Sequence, residues 1–404
     1  MRGLTPRGTL GVKFWLIFAA STLCGIAHSA STPVIPRFVG DVLGGNVALA
    51  GFIVSLSAFV SIAAQLGAGI AADRFGYKRI SIVCGIVGAA GFVVIIVLAT
   101  VTGAIASRVL FGAGNAAVAT ALMAWVVASV AVEERGRALS AFGISVWLGL
   151  SLGPQVGENI LHAWGYDAVW IVCVGLQLVA LVATLPIADF SGRGPLVLGH
   201  VREPPGSWRL VFHAVTRPGV VAAMAWSAEG FMLAFLIIRL QHNGLAPEGV
   251  FGAASVFTVF AACVIVARLV LGGVPDRIGP VITTRVSLAV LACGLVVLAF
   301  ASSFPVAAVG ALLMGTGFAP LYPALTMLAT ETLDPTRRAS GLGLFTAFTS
   351  VGYACGALFG GILADLFDES VAFITISLVL VLAIAVVRPP RPEAPLLQGD
   401  HDAL

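Results

Sequence analysis

Twelve runs of roughly twenty apolar residues, each set off by a short charged or turn-rich piece, leave this chain few ways to fold. They lie near residues 13–36, 47–71, 80–99, 103–130, 137–161, 167–186, 218–241, 250–272, 281–301, 304–330, 339–363 and 370–388. A helix crossing the bilayer core needs about 20 such residues. The separators are DVLGGN, ADRFGYKR, EERGR, PDRIGP and LDPTRR, all rich in turn formers and charge. A membrane barrel would need alternating segments of about ten residues, and the sequence has none. Composition agrees: 59% of the 404 residues are hydrophobic before 47 glycines are counted, and 10% are charged. Soluble chains run about 45–50% apolar and about 25% charged. The excess must face lipid, which excludes a soluble enzyme. A net charge of +3 is too small to indicate nucleic acid. The six cysteines stand singly in apolar runs, so neither a disulfide framework, a metal site nor a metal cofactor is expected. The fold class expected is all-α: a polytopic membrane protein of 12 transmembrane helices.

Arg2, Arg7 and Lys13 precede an apolar stretch reaching Ala27-His28-Ser29, a pattern that a cleavable signal peptide also shows. The stretch is long for a signal and eleven spans follow, so it reads as the first membrane helix. Basic residues then orient the chain. With an even number of crossings both termini share one face, and that face collects Arg74, Lys78, Arg79, Arg135, Arg137, Arg193, Arg202, Arg209, Arg217, Arg277, Arg285, Arg337, Arg338, Arg388 and Arg391. Arg37 and Arg239 fall toward the other face. The positive-inside rule places both termini in the cytoplasm of a multi-pass protein, and the Ala/Gly/Val-rich composition points to a prokaryotic plasma membrane.

The chain repeats itself. Residues 187–217, punctuated by GRGP, EPPG and TRPG, read as a cytoplasmic linker between a six-span bundle (1–186) and a second one (218–388), with a tail at 389–404. Gly69-Ile70-Ala71-Ala72-Asp73-Arg74-Phe75-Gly76 recurs 203 residues later as Gly272-Gly273-Val274-Pro275-Asp276-Arg277-Ile278-Gly279. Gly112 and Gly114 return at Gly315 and Gly317, and Gly149, Gly153 and Gly157 at Gly352, Gly356 and Gly360, all at the same offset. Parallel six-span repeats build many secondary transporters, with the substrate site at mid-membrane between them.

These motifs resemble the major facilitator superfamily. The G-x-x-x-D-R-x-G-x-K-R loop after the second span resembles its loop signature, with a weaker second copy at 272–279. Arg108-Val-Leu-Phe-Gly112-Ala-Gly114 is similar to its fourth-helix motif. Gly149-x-x-x-Gly153-Pro154-x-x-Gly157 resembles the fifth-helix motif of its antiporters, and Pro33-Val34-Ile35-Pro36 the first-helix motif of its twelve-helix drug:proton antiporters. Glu158 stands where the antiporter motif normally has a second glycine, and Pro280-Val281 replaces the trailing basic pair in the second loop copy. The sugar-porter PETKG sequences are missing. The resemblance implies efflux by alternating access, coupled to protons.

Within that frame, Gly69, Asp73, Arg74, Gly76, Lys78 and Arg79, with Asp276 and Arg277, are candidates for a cytoplasmic latch. Gly69 and Gly76 would allow a tight reversal, and Asp73 could meet Arg135 or Arg137. Plain topology-determining charge is the alternative. Gly149, Gly153 and Gly157 line one helix face for close packing, and Pro154 allows a bend. Ionisable residues inside spans are costly and usually functional. Glu229 is expected to titrate a proton or contact a cation. His28 is expected on a polar stripe, mapped by the Arg37/Arg239 offset onto Gly230 and so facing the same cavity. Arg108, whose counterpart is Ala311, needs an acidic partner, water or substrate; by resemblance it assists proton transfer or binding. Glu158 lies nearer the outer end, where hydration would suffice, and Arg268 is expected to snorkel to the cytoplasmic interface. Asn115, Trp147, Gln155, Trp226, Tyr322 and Phe345 are candidates for a substrate cavity, with a helix break expected at residues 318–323.

Two enzyme-like patterns are set aside. Gly149–Gly153 fits G-x-S-x-G, which needs a strand-to-helix turn, and residues 112–117 fit a dinucleotide fingerprint without the βαβ unit around it. Lys13 and Lys78 are the only lysines and neither follows a glycine, so no phosphate-binding P-loop exists in this sequence. The expected function is proton-coupled export of a small lipophilic or cationic compound, with substrate, protons and the lipid bilayer as partners, acting as a monomer. An uptake symporter shares the fold and differs in the direction of substrate flux; a channel or membrane sensor is the alternative of another class.

Overall fold

The computed structural model describes residues 11–130, 134–187, 207–333 and 337–388, with the side chains of 66, 73, 136, 207, 208 and 339 outside that description. Arg2, Arg7, Arg193, Arg202, Arg391, the centre of the expected linker and the tail at 389–404 therefore lie outside the described residues. Thirteen helices account for the described secondary structure: α1 (Val12–Ser31), α2 (Val34–Asp41), α3 (Val47–Phe75), α4 (Tyr77–Val97), α5 (Val101–Ser129), α6 (Arg135–Thr184), α7 (Ser207–His242), α8 (Ser255–Leu271), α9 (Val274–Ile278), α10 (Pro280–Ala299), α11 (Phe304–Thr330), α12 (Arg338–Leu366) and α13 (Glu369–Val386). In lipid every backbone polar group must find its partner inside the chain, which helices do. Ten helices are long and apolar enough to cross a bilayer, α8 is shorter, and α6 holds two crossings.

Local chemistry explains the ends. Side chains of Asn46, Thr100 and Asp368 accept from the backbone N–H groups of Leu49, Gly103 and Val371 at 3.0, 3.1 and 2.9 Å, capping α3, α5 and α13. That bond, with the helix start behind it, holds the Asp368 carboxyl below the usual carboxylate range. Gly76 (φ +96°) and its repeat partner Gly279 (φ +84°) make the reversals into α4 and α10. Gly165 (φ +80°) turns α6 back on itself without a loop, joining the expected fifth and sixth spans.

Several boundaries differ from expectation. The loop signature is the last turn of α3, so Gly69 lies inside a helix with open space beside it, and the reversal belongs to Gly76 alone. Residues 207–217 extend α7 instead of joining a linker, with Pro218 inside the helix. Likewise α11 runs unbroken through Pro320 and Pro323, where a break was expected. Proline's φ is already helical, so each ring costs one backbone hydrogen bond without ending the helix. The first span does break, at Thr32-Pro33 between α1 and α2.

The packing repeats as the sequence does. In the first bundle α1 lies on α6, α3 on α5, and α4 on α5 and α6; in the second, α7 lies on α12, α8 on α11, and α10 on α11 and α13. Even the fastening of the last helix recurs. Lys78 on α4 donates to the Leu185 and Ile187 carbonyls, and Arg285 on α10 donates to the Val387 carbonyl at 2.8 Å.

Both glycine stripes lie at the main helix contact of their bundle. A Cβ on Gly149 would sit 2.8 Å from the Gly25 Cα, and one on Gly153 would sit 2.6 Å from the Ser29 Cβ. On α12, a Cβ on Gly352 or Gly356 would meet the carbonyl oxygens of Ala223 or Ser227 at 2.1 and 2.0 Å. No side chain fits there. Overpacking of this kind costs roughly 1–3 kcal/mol or more. Gly153→Leu and Gly356→Leu are therefore expected to lower the thermal unfolding midpoint of the detergent-purified protein, while Gly175→Leu, at a site with nothing within 4 Å, is expected to leave it unchanged.

Candidate functional site

The bundles meet along two helix pairs that are repeat equivalents of each other, α3 with α12 and α6 with α8. Between α3 and α12 the contacts lie at the start of one helix and the end of the other. Asp365 accepts from the Asn46 side chain at 2.9 Å and the Val47 backbone at 3.1 Å, and Gly51 lies against Ala357 and Gly361. Between α6 and α8, Gln155 donates to the Ser255 and Thr258 hydroxyls, each at 3.0 Å, and Thr258 donates to the Ser151 carbonyl at 2.9 Å. His162 lies 3.3 Å from Glu248 across the same seam. These contacts share the end opposite Gly11 and Arg388. Toward the other end Gly67 and Gly343 have nothing within 4 Å, and Ile70, Phe75 and Leu342 are exposed. One end is sealed, and the other is parted at these described residues.

Above the seal lies a cavity of about 300 Å³ walled by α1, α3, α5, α7 and α12. Glu229 and His28 both line it, with Trp226, Asn115, Ser57, Ser61, Gln65, Phe111, Thr349, Ser350 and Tyr353 among the other walls. Glu229 thus faces the space between the bundles, away from lipid. The packing shifts the expected register: Gly153 touches Ser29 and Gly356 touches Ser227, an offset of 198. His28 therefore stands level with Trp226, about one turn from Glu229, and not with Gly230. The break at Thr32-Pro33 absorbs the difference from the Arg37/Arg239 offset.

The wall is more polar than an apolar drug pocket. Ser57, Ser61 and Thr349 donate to the carbonyls of Val54, Ala58 and Thr346 in their own helices at 2.8, 2.7 and 2.7 Å. Asn115 accepts from the buried Gln177 amide at 3.3 Å, which in turn accepts from the Cys24 thiol at 3.3 Å. His28 stacks on Phe111 at 5.8 Å, and its Nδ1 has no partner among the described residues. The same holds for the Tyr353 hydroxyl.

Other expected site residues stand elsewhere. Gln155 fastens the sealed end and does not reach the cavity. Trp147 lies in the α6–α8 seam against Phe260 at 5.8 Å. Tyr322 touches Trp226 at 5.9 Å from outside the wall, and the fully buried Phe345 packs behind Tyr322 at 5.7 Å. A second hollow, beside Tyr322, Thr326, Thr330 and Arg338, opens toward the parted end. Arg108 is 1% exposed and has no carboxylate within 4.0 Å among the described residues. Its guanidinium lies 5.4 and 4.9 Å from the Phe92 and Phe111 rings, with Ser31 at 3.4 Å, behind the wall and not on it. Arg268 does not snorkel outward; it lies over Trp147 of the other bundle at 5.2 Å, within electrostatic reach of Glu229. Its repeat counterpart is Gln65, itself a wall residue, so the repeat carried that signal.

Glu158 corrects another expectation. It is 1% exposed and pairs with Arg37, 13% exposed, so it is buried and not hydrated. The glycine contact beside it survives, because Gly157 still packs on Ala30 while Glu158 turns toward α2. At the parted end, Arg74, Arg79, Asp276 and Arg277 are exposed, Lys78 binds carbonyls of its own bundle, and the Asp73 side chain lies outside the described residues. The residues that sequence reasoning missed are Tyr353, Gln177 and the Ser57–Ser61–Gln65 stripe. Tyr353 breaks the repeat, standing where the first half has Leu150, and Gln177 is an amide in an apolar helix like Asn115.

The family model described as Major Facilitator Superfamily matches residues 17–330 and 248–403. The uncharacterised MFS-type transporter YhhS of Escherichia coli (strain K12) is 25% identical over 377 residues, covering 89% of this chain and 90% of that protein. An uncharacterised MFS-type transporter of Burkholderia pseudomallei (strain 1106a) is 26% identical over 386 residues, covering 92% and 90%. Among solved structures, a bacterial homolog of the human lysosomal transporter Spinster, inward-facing and unoccupied, superposes with a TM-score of 0.76 at 15% identity over 94% of this chain and 97% of that one. The nucleoside transporter NupG gives 0.77 at 13% identity over 93% and 99%.

Removing one partner of a buried ion pair strands the other charge and costs about 3–5 kcal/mol. Arg37→Leu and Glu158→Leu are each expected to lower the thermal midpoint sharply. The double variant Arg37→Leu with Glu158→Leu is expected to recover most of the loss, and additive losses would show the pair to be uncoupled.

Proposed function

The chain belongs to the Major Facilitator Superfamily and is a secondary transporter, and from that premise we propose that it exports a small molecule in exchange for protons. The observation that carries this reading is the shared cavity: Glu229 from one bundle and His28 from the other face a single space, sealed at one end by Asn46–Asp365 and Gln155–Ser255/Thr258 and parted at the other. With both termini in the cytoplasm, as the basic residues indicate, this is an inward-open state that loads from the cell interior. An ionised carboxylate inside the membrane is expensive unless a cation or a proton neutralises it. Glu229 thus makes crossing conditional on being filled, either by the substrate or by a proton, which is the requirement for exchange. His28 and Arg108 adjust that carboxylate's field from the other bundle, and the loop motifs at 69–79 and 272–279 act as the latch that closes the cytoplasmic end. The antiporter-type glycine face at 149–157, with Pro154, favours efflux over uptake. Gly149-Leu150-Ser151-Leu152-Gly153 is a helix-packing face here, with no catalytic part.

Two experiments test the proposal. In proteoliposomes Glu229→Gln is expected to abolish substrate movement driven by a pH gradient while leaving the protein folded in the membrane; intact pH-driven transport in that variant overturns the assignment. In a cysteine-free background, cross-linking Asn46→Cys to Asp365→Cys with a short bifunctional reagent is expected to stop counterflow, because the seal must open once per cycle. Unchanged counterflow after complete cross-linking contradicts alternating access through this seam.

A further inference from the structure

Buried polar atoms are rarely left without partners, and each exception asks for an explanation. Two such atoms belong to wall residues of this cavity, one in each bundle. The His28 Nδ1 on α1 and the Tyr353 hydroxyl on α12 are both buried, both unpartnered among the described residues, and both line the one cavity. The Tyr353 phenol lies within electrostatic reach of Glu229 in its own bundle and of Arg108 in the other. A ligand bridging the bundles would satisfy both.

The rest of the wall says what kind of ligand. Ser57, Ser61 and Thr349 have each given their only proton to a helix carbonyl, so what they offer the cavity is lone pairs. Glu229 is the only side chain of the wall with a full formal charge, and it accepts. Both nearby guanidiniums are turned elsewhere: Arg108 onto the Phe92 and Phe111 rings, Arg268 onto Trp147. Neither forms part of the wall, so an anion entering here meets the Glu229 carboxylate and neutral amide, indole and hydroxyl groups but no cationic head group. Trp226 also lines the wall. A wall with one carboxylate, three hydroxyls offering lone pairs and no cationic group rewards a ligand that is positively charged and carries N–H donors.

We propose that the cavity takes a compact organic cation with N–H donors, a primary ammonium or guanidinium, held between Glu229 and Tyr353 of one bundle and His28 of the other. This rests on the reading of the cavity as the transport site and narrows its cargo from lipophilic cations in general to donor-bearing ones. Tyr353 is then the residue that distinguishes an N–H cation from a quaternary one, because its oxygen accepts from the first and has nothing to accept from the second.

The test uses four probes of four carbons or nearly so: n-butylguanidinium, n-butylammonium, tetramethylammonium and butyrate. Each is titrated against thermal unfolding of the detergent-purified full chain at one pH. The guanidinium and the primary ammonium are expected to protect at concentrations about tenfold below tetramethylammonium, and butyrate to give no protection, a tenfold difference corresponding to about 1.4 kcal/mol. Tyr353→Phe, which removes only an unpartnered hydroxyl, is expected to raise the butylguanidinium requirement about tenfold and leave tetramethylammonium unchanged. Glu229→Gln is expected to weaken both cations. Equal protection by the primary and quaternary ammonium, preferential protection by butyrate, no protection by any probe, or an unaltered Tyr353→Phe profile each overturns the proposal. A protein that binds in the expected order yet shows no pH-driven movement of butylguanidinium in proteoliposomes keeps the ligand class and loses the exchange mechanism.

Discussion

Everything in this molecule depends on helices approaching closely enough for their backbones to touch. In lipid the hydrophobic effect does not press helices together, so association falls to van der Waals contact and a few hydrogen bonds. The stripes Gly149–Gly153–Gly157 and Gly352–Gly356–Gly360 provide that contact, seating α6 on α1 and α12 on α7 with no room for a methyl group. Because the stripes lie within each bundle, they make two tightly packed bodies. The contacts between the bodies differ in kind. Beside the close approach of Gly51 to Ala357 and Gly361 and the Trp147–Phe260 contact, they are single hydrogen bonds and one histidine–glutamate pair at the sealed end, groups that water can satisfy as well as protein can. Strong packing inside and exchangeable polar contacts between are what a rocking mechanism requires.

The intramembrane charges divide by the same logic. Arg37 and Glu158 neutralise each other within one bundle, and the pair fastens the outer part of the broken first span to α6. Arg108 and Arg268 rest on aromatic faces, which stabilise a cation without requiring an anion. Only Glu229 is left on the wall of the shared cavity without a partner of its own.

Much of this was legible in the sequence. Apolar run length gave the twelve crossings, and the constant offset of 203 gave the pairing of helices, because a duplicated sequence duplicates its contacts. Glu229, His28, Asn115 and Trp226 reached one cavity because polar groups in apolar helices must face something other than lipid. The failures also have physical causes. Pro218, Pro320 and Pro323 were read as breaks, although a proline in a long membrane helix removes one hydrogen bond and keeps a helical φ. Glu158 was read as hydrated because depth along a helix says nothing about which neighbour lies beside it, and Arg37 comes from a segment 121 residues away. Gln155 was assigned to the cavity from polarity alone, yet polarity fits a seal as well as a pocket. The sequence signal for Tyr353 is its departure from Leu150 in the repeat.

That last departure shows how a symmetric scaffold becomes a directional machine. A duplicated chain begins with two equivalent walls, and equivalent walls cannot tell a proton from a cargo. Here the equivalents have diverged in complementary ways. The first bundle carries the hydroxyl and amide stripe of Ser57, Ser61 and Gln65, whose counterparts Phe260, Val264 and Arg268 are apolar or cationic, with Phe260 and Arg268 in the seam against Trp147. The second bundle has gained Glu229 and Tyr353, opposite Ser31 and Leu150. One wall now offers neutral acceptors and the other a titratable charge. Under the proposed exchange, a ligand must touch both to be held and a proton needs only the second, so the asymmetry between the two walls, and not the symmetry of the helices that carry them, would separate cargo from coupling ion.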